Sequence, residues 1–114
     1  MGIQWREITL RRQEGTVVFD LDGHCCLCDA GYAEIETLVE TVARFGYGRI
    51  KLNLERIRCL DSAALGCLMR AVGRAKQHGA PVTFLNPQPL VLKLLEVTNL
   101  TSFLDETYSH DVAR

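Results

Sequence analysis

Apolar residues recur along the chain with two different periods. In TVVFDL (16–21), Val17, Phe19 and Leu21 share one face, and in RIKLNL (49–54) Ile50, Leu52 and Leu54 alternate strictly with Lys51 and Asn53. A period of two is that of a strand. WREITLRR (5–12) and PVTFL (81–85) are strand-like as well, and Gln13-Glu14-Gly15 is a hairpin turn between the first two strands. Elsewhere the period lengthens. Ile35, Leu38, Val39 and Val42 fall at i, i+3, i+4 and i+7, which predicts a helix from about Ala30 with Asp29 as its cap and Gly46 and Gly48 at its end. Leu65, Leu68, Val72 and Ala75 trace a second helix starting near Ser62, with Arg70, Arg74 and Lys76 off that stripe and Gly79 as the stop. Asn86-Pro87 caps and opens a third. Pro89 is tolerated in its first turn, Leu90 to Val97 continue it and Asn99 ends it. GHCCLCDA (23–30) reads as a loop, and the tail SFLDETYSHDVAR (102–114) as a short strand and a short helix.

The order β-β-α-β-α-β-α predicts an α/β fold: a mixed sheet of four to five strands built from βα units, with right-handed crossovers between parallel strands. Strands covered on both faces are near-continuously apolar. The alternation in RIKLNL therefore puts the helices mainly on one face and leaves the other partly open to water. Leu38, Val42, Leu52, Leu54, Leu65, Leu68, Val72 and Phe84 are expected to share one core.

At 114 residues the chain fits a single domain spanning 1–114, and 47% hydrophobic residues suffice for a packed core. Thirteen Lys and Arg against 14 Asp and Glu leave a net charge of −1, so no global field favours nucleic acid or an anionic membrane. No apolar run approaches the ~20 residues of a spanning helix. No apolar segment of a secretory signal follows the N-terminal charges. These features point to a cytoplasmic protein that does not insert into membranes. Five cysteines, an odd number, then read as reduced thiols rather than a disulfide framework.

The chemistry-bearing stretch is CLDSAALGCL (59–68). Ser62 follows Asp61 at the start of a predicted helix, where a serine oxygen can accept from orphan backbone N–H groups. It also stands in a strand-to-helix loop, the end of an open α/β sheet where sites gather. A phosphate on Ser62 would meet the helix N-terminus, with Arg56 and Arg58 upstream to pair with it and Asp61 to repel it. From local sequence, an N-cap is the commoner role for such a serine.

Cys25 and Cys28 form a C-x-x-C between a strand and a helix, as a thiol redox pair would, and His24 with three cysteines could hold a metal. A thioredoxin-type context and completing ligands are both missing, so packing or incidental loop positions are the default for Cys25, Cys26 and Cys28, as for Cys59 and Cys67. No metal and no cofactor are expected. His78 stands at a helix C-terminus, where positive charge is favourable. His110 completes no triad, and Asp20 and Asp22 fit strand and turn roles.

IKLNLERIRCLDSAALGCL (50–68) resembles the signature of the STAS domain of sulfate transporters and anti-sigma factor antagonists: a strand ending in Asn-Leu or Asp-Leu, a short loop, then Asp-Ser-x-Gly/Ala-Leu-Gly opening a helix. Asn53-Leu54, Asp61-Ser62 and Leu65-Gly66 match in order and spacing, and Gly23 matches the family's glycine after the second strand. NPQPLVLKLLEVTNLTSFL (86–104) resembles the family's later helix, so the resemblance covers roughly 5–106. It implies helices largely on one side of a mixed sheet and a non-enzymatic regulator. That regulator would be an anti-sigma factor antagonist, bound in its unmodified form by an anti-sigma factor serine kinase of the histidine-kinase-like ATPase class. The kinase phosphorylates the motif serine, here Ser62, and a serine phosphatase resets it. Partner contacts implied on this chain are Gly23, Asp29, Arg56, Arg58, Asp61, Ser62, Ala63 and Ala64. Ala63 and Ala64 replace the Ser and Gly common in members. His24-Cys25-Cys26-Leu27-Cys28 delays to Asp29 the acidic residue members carry soon after the glycine. The alternatives are a STAS subunit of an ABC-type lipid-transport complex and, from another class, a thiol redox protein using Cys25 and Cys28. Homo-oligomerisation is left open.

Overall fold

The computed structural model describes residues 5–23, 26–27, 30–57, 59–60 and 62–104, with side chains over 8–22, 34–57 and 62–104. The strands are β1 (Trp5–Gln13), β2 (Thr16–Gly23), β3 (Cys26–Leu27), β4 (Arg49–Arg56), β5 (Cys59–Leu60) and β6 (Val82–Leu85). The helices are α1 (Ala30–Arg44), α2 (Ser62–Gln77) and α3 (Pro89–Val97), followed by a 3-10 turn at Thr101–Phe103. The main sheet has the order β1-β2-β4-β6. β1 and β2 are antiparallel, whereas β4 lies parallel to both β2 and β6. This is the mixed sheet with βα units that the alternating elements predict.

Glu14 and Gly15, both at positive φ (47° and 84°), turn the β1–β2 hairpin, the conformation whose twist matches the flanking strands. α2 stops before Gly79, at φ 81°, which provides the left-handed residue of a helix end.

The two faces of the sheet separate by residue parity, with Val18 buried on the face opposite the main core. Phe19, Leu21, Ile50, Leu52, Leu54 and Phe84 are fully buried and form one core with Ile35 and Val39 of α1, Leu65 and Leu68 of α2, and Val91 and Leu95 of α3. All three helices thus cover the same face. Of the residues expected in the core, Leu52, Leu54, Leu65, Leu68, Val72 and Phe84 are buried, while Leu38 and Val42 pack half-buried against its margin. The inner stripe of α1 runs instead through Ile35, Val39 and Ala43.

Three expectations are corrected. Residues 23–30 are not all loop: β3 pairs in parallel with β5, so two short strands form a second, separate ladder. Asn86-Pro87 does not open the third helix. α3 begins at Pro89 with Gln88 before it, and Asn86 takes φ 53° and spends its side chain on a neighbouring strand. In the tail, a 3-10 turn precedes Leu104, which makes an isolated parallel bridge to Phe84, and 105–114 lie outside the described residues.

Gly73 sits mid-helix on the exposed side of α2, and a Cβ there would meet nothing within 4 Å. Gly73→Ala is expected to raise stability by about 0.5–1 kcal/mol, because alanine restricts the unfolded chain and favours the helix. A rise in thermal midpoint checks this.

Candidate functional site

The parallel strands β2, β4 and β6 end at Gly23, Arg56 and Leu85, and the next helices start from the same end of the sheet, α2 at Ser62 and α3 at Pro89. Ser62 is exposed and is the first residue of α2. Ala63 is exposed beside Ser62. Ala64 is fully buried in the core, so it shapes the segment without offering a surface to a docked protein. The sequence reading had grouped Ala64 with partner-facing residues, but the helical turn carries it inward.

Arg56 ends β4, largely exposed, with Nη1 3.5 Å from Asp22 Oδ2. Gly23 ends β2. Asp29, Arg58 and Asp61 lie outside the described residues, as do His24, Cys25, Cys28 and His110. His78 turns out to be an interhelical residue: its Nε2 lies 3.4 Å from Glu40 Oε2, beside ion pairs of Arg70 and Arg74 with Glu36 and of Arg74 with Glu40.

Asn53 and Leu54, the strand end of the motif, divide two tasks. Leu54 is fully buried in the core. Asn53, on the opposite face, is a hub: its Nδ2 donates to Asp20 Oδ1 at 2.8 Å, and its Oδ1 accepts from the Glu55 backbone N–H and Asn86 Nδ2, each at 3.2 Å. Asp20 in turn accepts from Arg11 Nε and, at 3.0 Å, from Arg11 Nη2. A polar chain therefore crosses from β1 through β2 and β4 to the residue after β6. Gln88 Nε2 adds a link to the Glu55 carbonyl, tying the start of α3 to the end of β4. A depression of about 380 Å³ on this face is lined by Thr9, Arg11, Asp20, Asp22, Glu55 and Arg56 among others. Its aspartates are already paired with arginines, which makes it a structural seam. Among the described residues no cluster of His, Cys, Asp or Glu could hold a metal ion, and no helix is long and apolar enough to cross a membrane.

This network is absent from the sequence reading, which left Asp20 and Asp22 to strand and turn roles. Alternation places Thr9, Arg11, Asp20, Asn53 and Glu55 opposite the core. Only the register, Arg11↔Val18, Thr9↔Asp20 and Asp20↔Asn53, brings them together.

The Arg11 guanidinium, hydrogen-bonded to Asp20, holds that carboxyl below its usual range, with the Asn53 hydrogen bond acting the same way and partial burial opposing them. A carboxylate whose pKa is depressed by folding adds stability above its unfolded value of about 3.9, and that stability is lost as pH falls through the depressed value. Asp20→Asn is therefore expected to cost about 1–2 kcal/mol near neutral pH, the pair being partly exposed. The difference from wild type should shrink as pH drops below about 4. Urea titrations across that range check it.

A family model described as Mlab, STAS domain, matches residues 8–105. The chain belongs to the STAS family. Among solved structures, this STAS domain is similar to the anti-sigma factor antagonist SpoIIAA in its unphosphorylated form (24% identity over 87% of this chain and 86% of that one, TM-score 0.71). It is also similar to the Bacillus cell fate determinant SpoIIAA in the phosphorylated form (22% identity, 95% and 100% covered, TM-score 0.67). A third similar structure is a putative anti-sigma factor antagonist from Thermotoga maritima (20% identity, 86% and 83% covered, TM-score 0.71). At these identities the likeness is one of fold. No curated protein matches the chain in sequence.

Proposed function

We infer that this STAS domain is a non-enzymatic, phosphorylation-switched regulator of the anti-sigma factor antagonist type, with Ser62 as phosphoacceptor. The observation that carries the reading is an exposed serine at the first position of α2, at the end of the sheet where β2, β4 and β6 stop. A phosphate there meets backbone N–H groups and the positive end of the helix dipole, so modification alters the surface while α2 stays intact. Similar folds solved in unphosphorylated and phosphorylated forms support this use of the scaffold.

The partner surface is Ser62 with Asp61, Ala63, Gly23, Asp29, Arg56 and Arg58. The partner is an anti-sigma factor serine kinase of the histidine-kinase-like ATPase class, which binds the unmodified form in the cytoplasm, and a serine phosphatase restores that form. The single domain 1–114 needs no cofactor for this. The test is incubation with the cognate kinase and ATP: phosphate should map to Ser62 and be absent from Ser62→Ala. Labelling at any other residue, or none, sinks the reading.

A second reading stands because the matching family model is described as Mlab rather than as an antagonist. In it, the same surface docks on the ATPase subunit of an ABC-type lipid-transport complex. Purification from native cells separates the two, since the stable companion is either a kinase or a permease with its ATPase.

A further inference from the structure

The parallel ladder between β3 and β5 makes Cys26 the register partner of Cys59, with Leu27 opposite Leu60. Neighbouring strands lie about 4.7–4.9 Å apart. Disulfides join residues whose Cα atoms are separated by about 4.4–6.8 Å. Register partners also share a face of their ladder. The two cysteines come from segments remote in sequence, one after β2 and the other just before α2. The sequence reading treated both as incidental, because residues 23–30 read there as loop and the pairing was invisible.

We propose that Cys26 and Cys59 form a reversible disulfide, a redox modification site that clips the segment after β2 to the motif segment preceding Ser62. The reaction is thiol–disulfide exchange with a low-molecular-weight disulfide such as oxidised glutathione. One protein thiolate attacks a glutathione sulfur, giving a protein–glutathione mixed disulfide and releasing one glutathione thiolate. The second protein thiolate attacks the protein sulfur of that intermediate, forming the Cys26–Cys59 bond and releasing the second glutathione. The two protein thiols lose two electrons and two protons, and the two glutathione thiols receive them. A dithiol reductant reverses the sequence.

The clip joins β3 to β5, the short strand that precedes Ser62 in the chain. Its effect on partner docking rests on the function proposed above, whereas the bond itself needs no partner, so the two ideas fail separately.

The experiment treats the reduced full chain with oxidised glutathione, then alkylates and maps it. The expected product is lighter by two hydrogens and alkylates at three of its five cysteines. Tryptic digestion without reductant should join the peptide 13–44, which carries Cys25, Cys26 and Cys28, to the peptide 59–70, which carries Cys59 and Cys67. The link should be lost in Cys26→Ser and in Cys59→Ser and kept in Cys25→Ser, Cys28→Ser and Cys67→Ser. Tandem fragmentation of the joined wild-type peptides assigns the bond even if a variant folds poorly. A bond within 13–44, a bond to Cys67, or glutathione adducts with no peptide cross-link overturns the proposal.

Discussion

Leu68→Ala is expected to lower the free energy of unfolding by about 2–5 kcal/mol, the range for truncating a buried leucine. Leu68 is 1% exposed on the inner face of α2. Its buried neighbours along that face are Ala64, Leu65, Ala71, Val72 and Ala75. Three of these are alanines, whose side chains have no reach with which to fill a vacated volume, so a cavity persists and the cost falls in the upper half of the range. Domains of this size are stable by only about 5–15 kcal/mol, so the change is a large fraction of the total. Urea denaturation gives the number directly. A cost below about 0.5 kcal/mol would place Leu68 outside the core.

Ser62→Asp is expected to leave stability unchanged or raised, while weakening the kinase partner by more than about thirtyfold, some 2 kcal/mol. A carboxylate at the first helical position sits against the positive end of the dipole, a gain of about 0.3–1 kcal/mol. In the proposed complex, the same charge would be desolvated next to Asp61 in the chain, in an interface suited to a neutral hydroxyl. Ser62→Ala should bind like wild type and cost about 1 kcal/mol or less, because Ser62 is exposed at the first position of α2. Thermal unfolding and partner titration of both variants make the comparison. If Ser62→Asp binds as wild type does, the switch is absent.

Most of the fold was legible because each long element carries a clean period. Val17, Phe19 and Leu21 face the core, as do Ile50, Leu52 and Leu54, and the alternation in RIKLNL matches a second face that is partly open, with Lys51 and Asn53 half-buried and Val18 buried on it. The short elements were not legible. Two residues cannot display a period, so Cys26–Leu27 and Cys59–Leu60 vanished into loops. Asn86-Pro87 imitates a helix start, yet the chain first turns through a positive φ and begins α3 only at Pro89. The place of Ser62 at the start of a helix was legible from the apolar stripe that follows it. The polar network Arg11–Asp20–Asn53–Asn86 was not, since it depends on register between strands and no local pattern encodes register.

The strand order also sets a sequence of events in time. The β1–β2 hairpin closes across two residues, an event on the order of microseconds. The β2–β4 and β4–β6 pairings each wait for a loop containing a whole helix to close, and such non-local contacts slow folding. The barrier therefore lies where β2, β4 and β6 meet, at Leu52, whose register partners are Phe19 and Phe84. Changes at Leu52 are therefore expected to slow folding more than they speed unfolding.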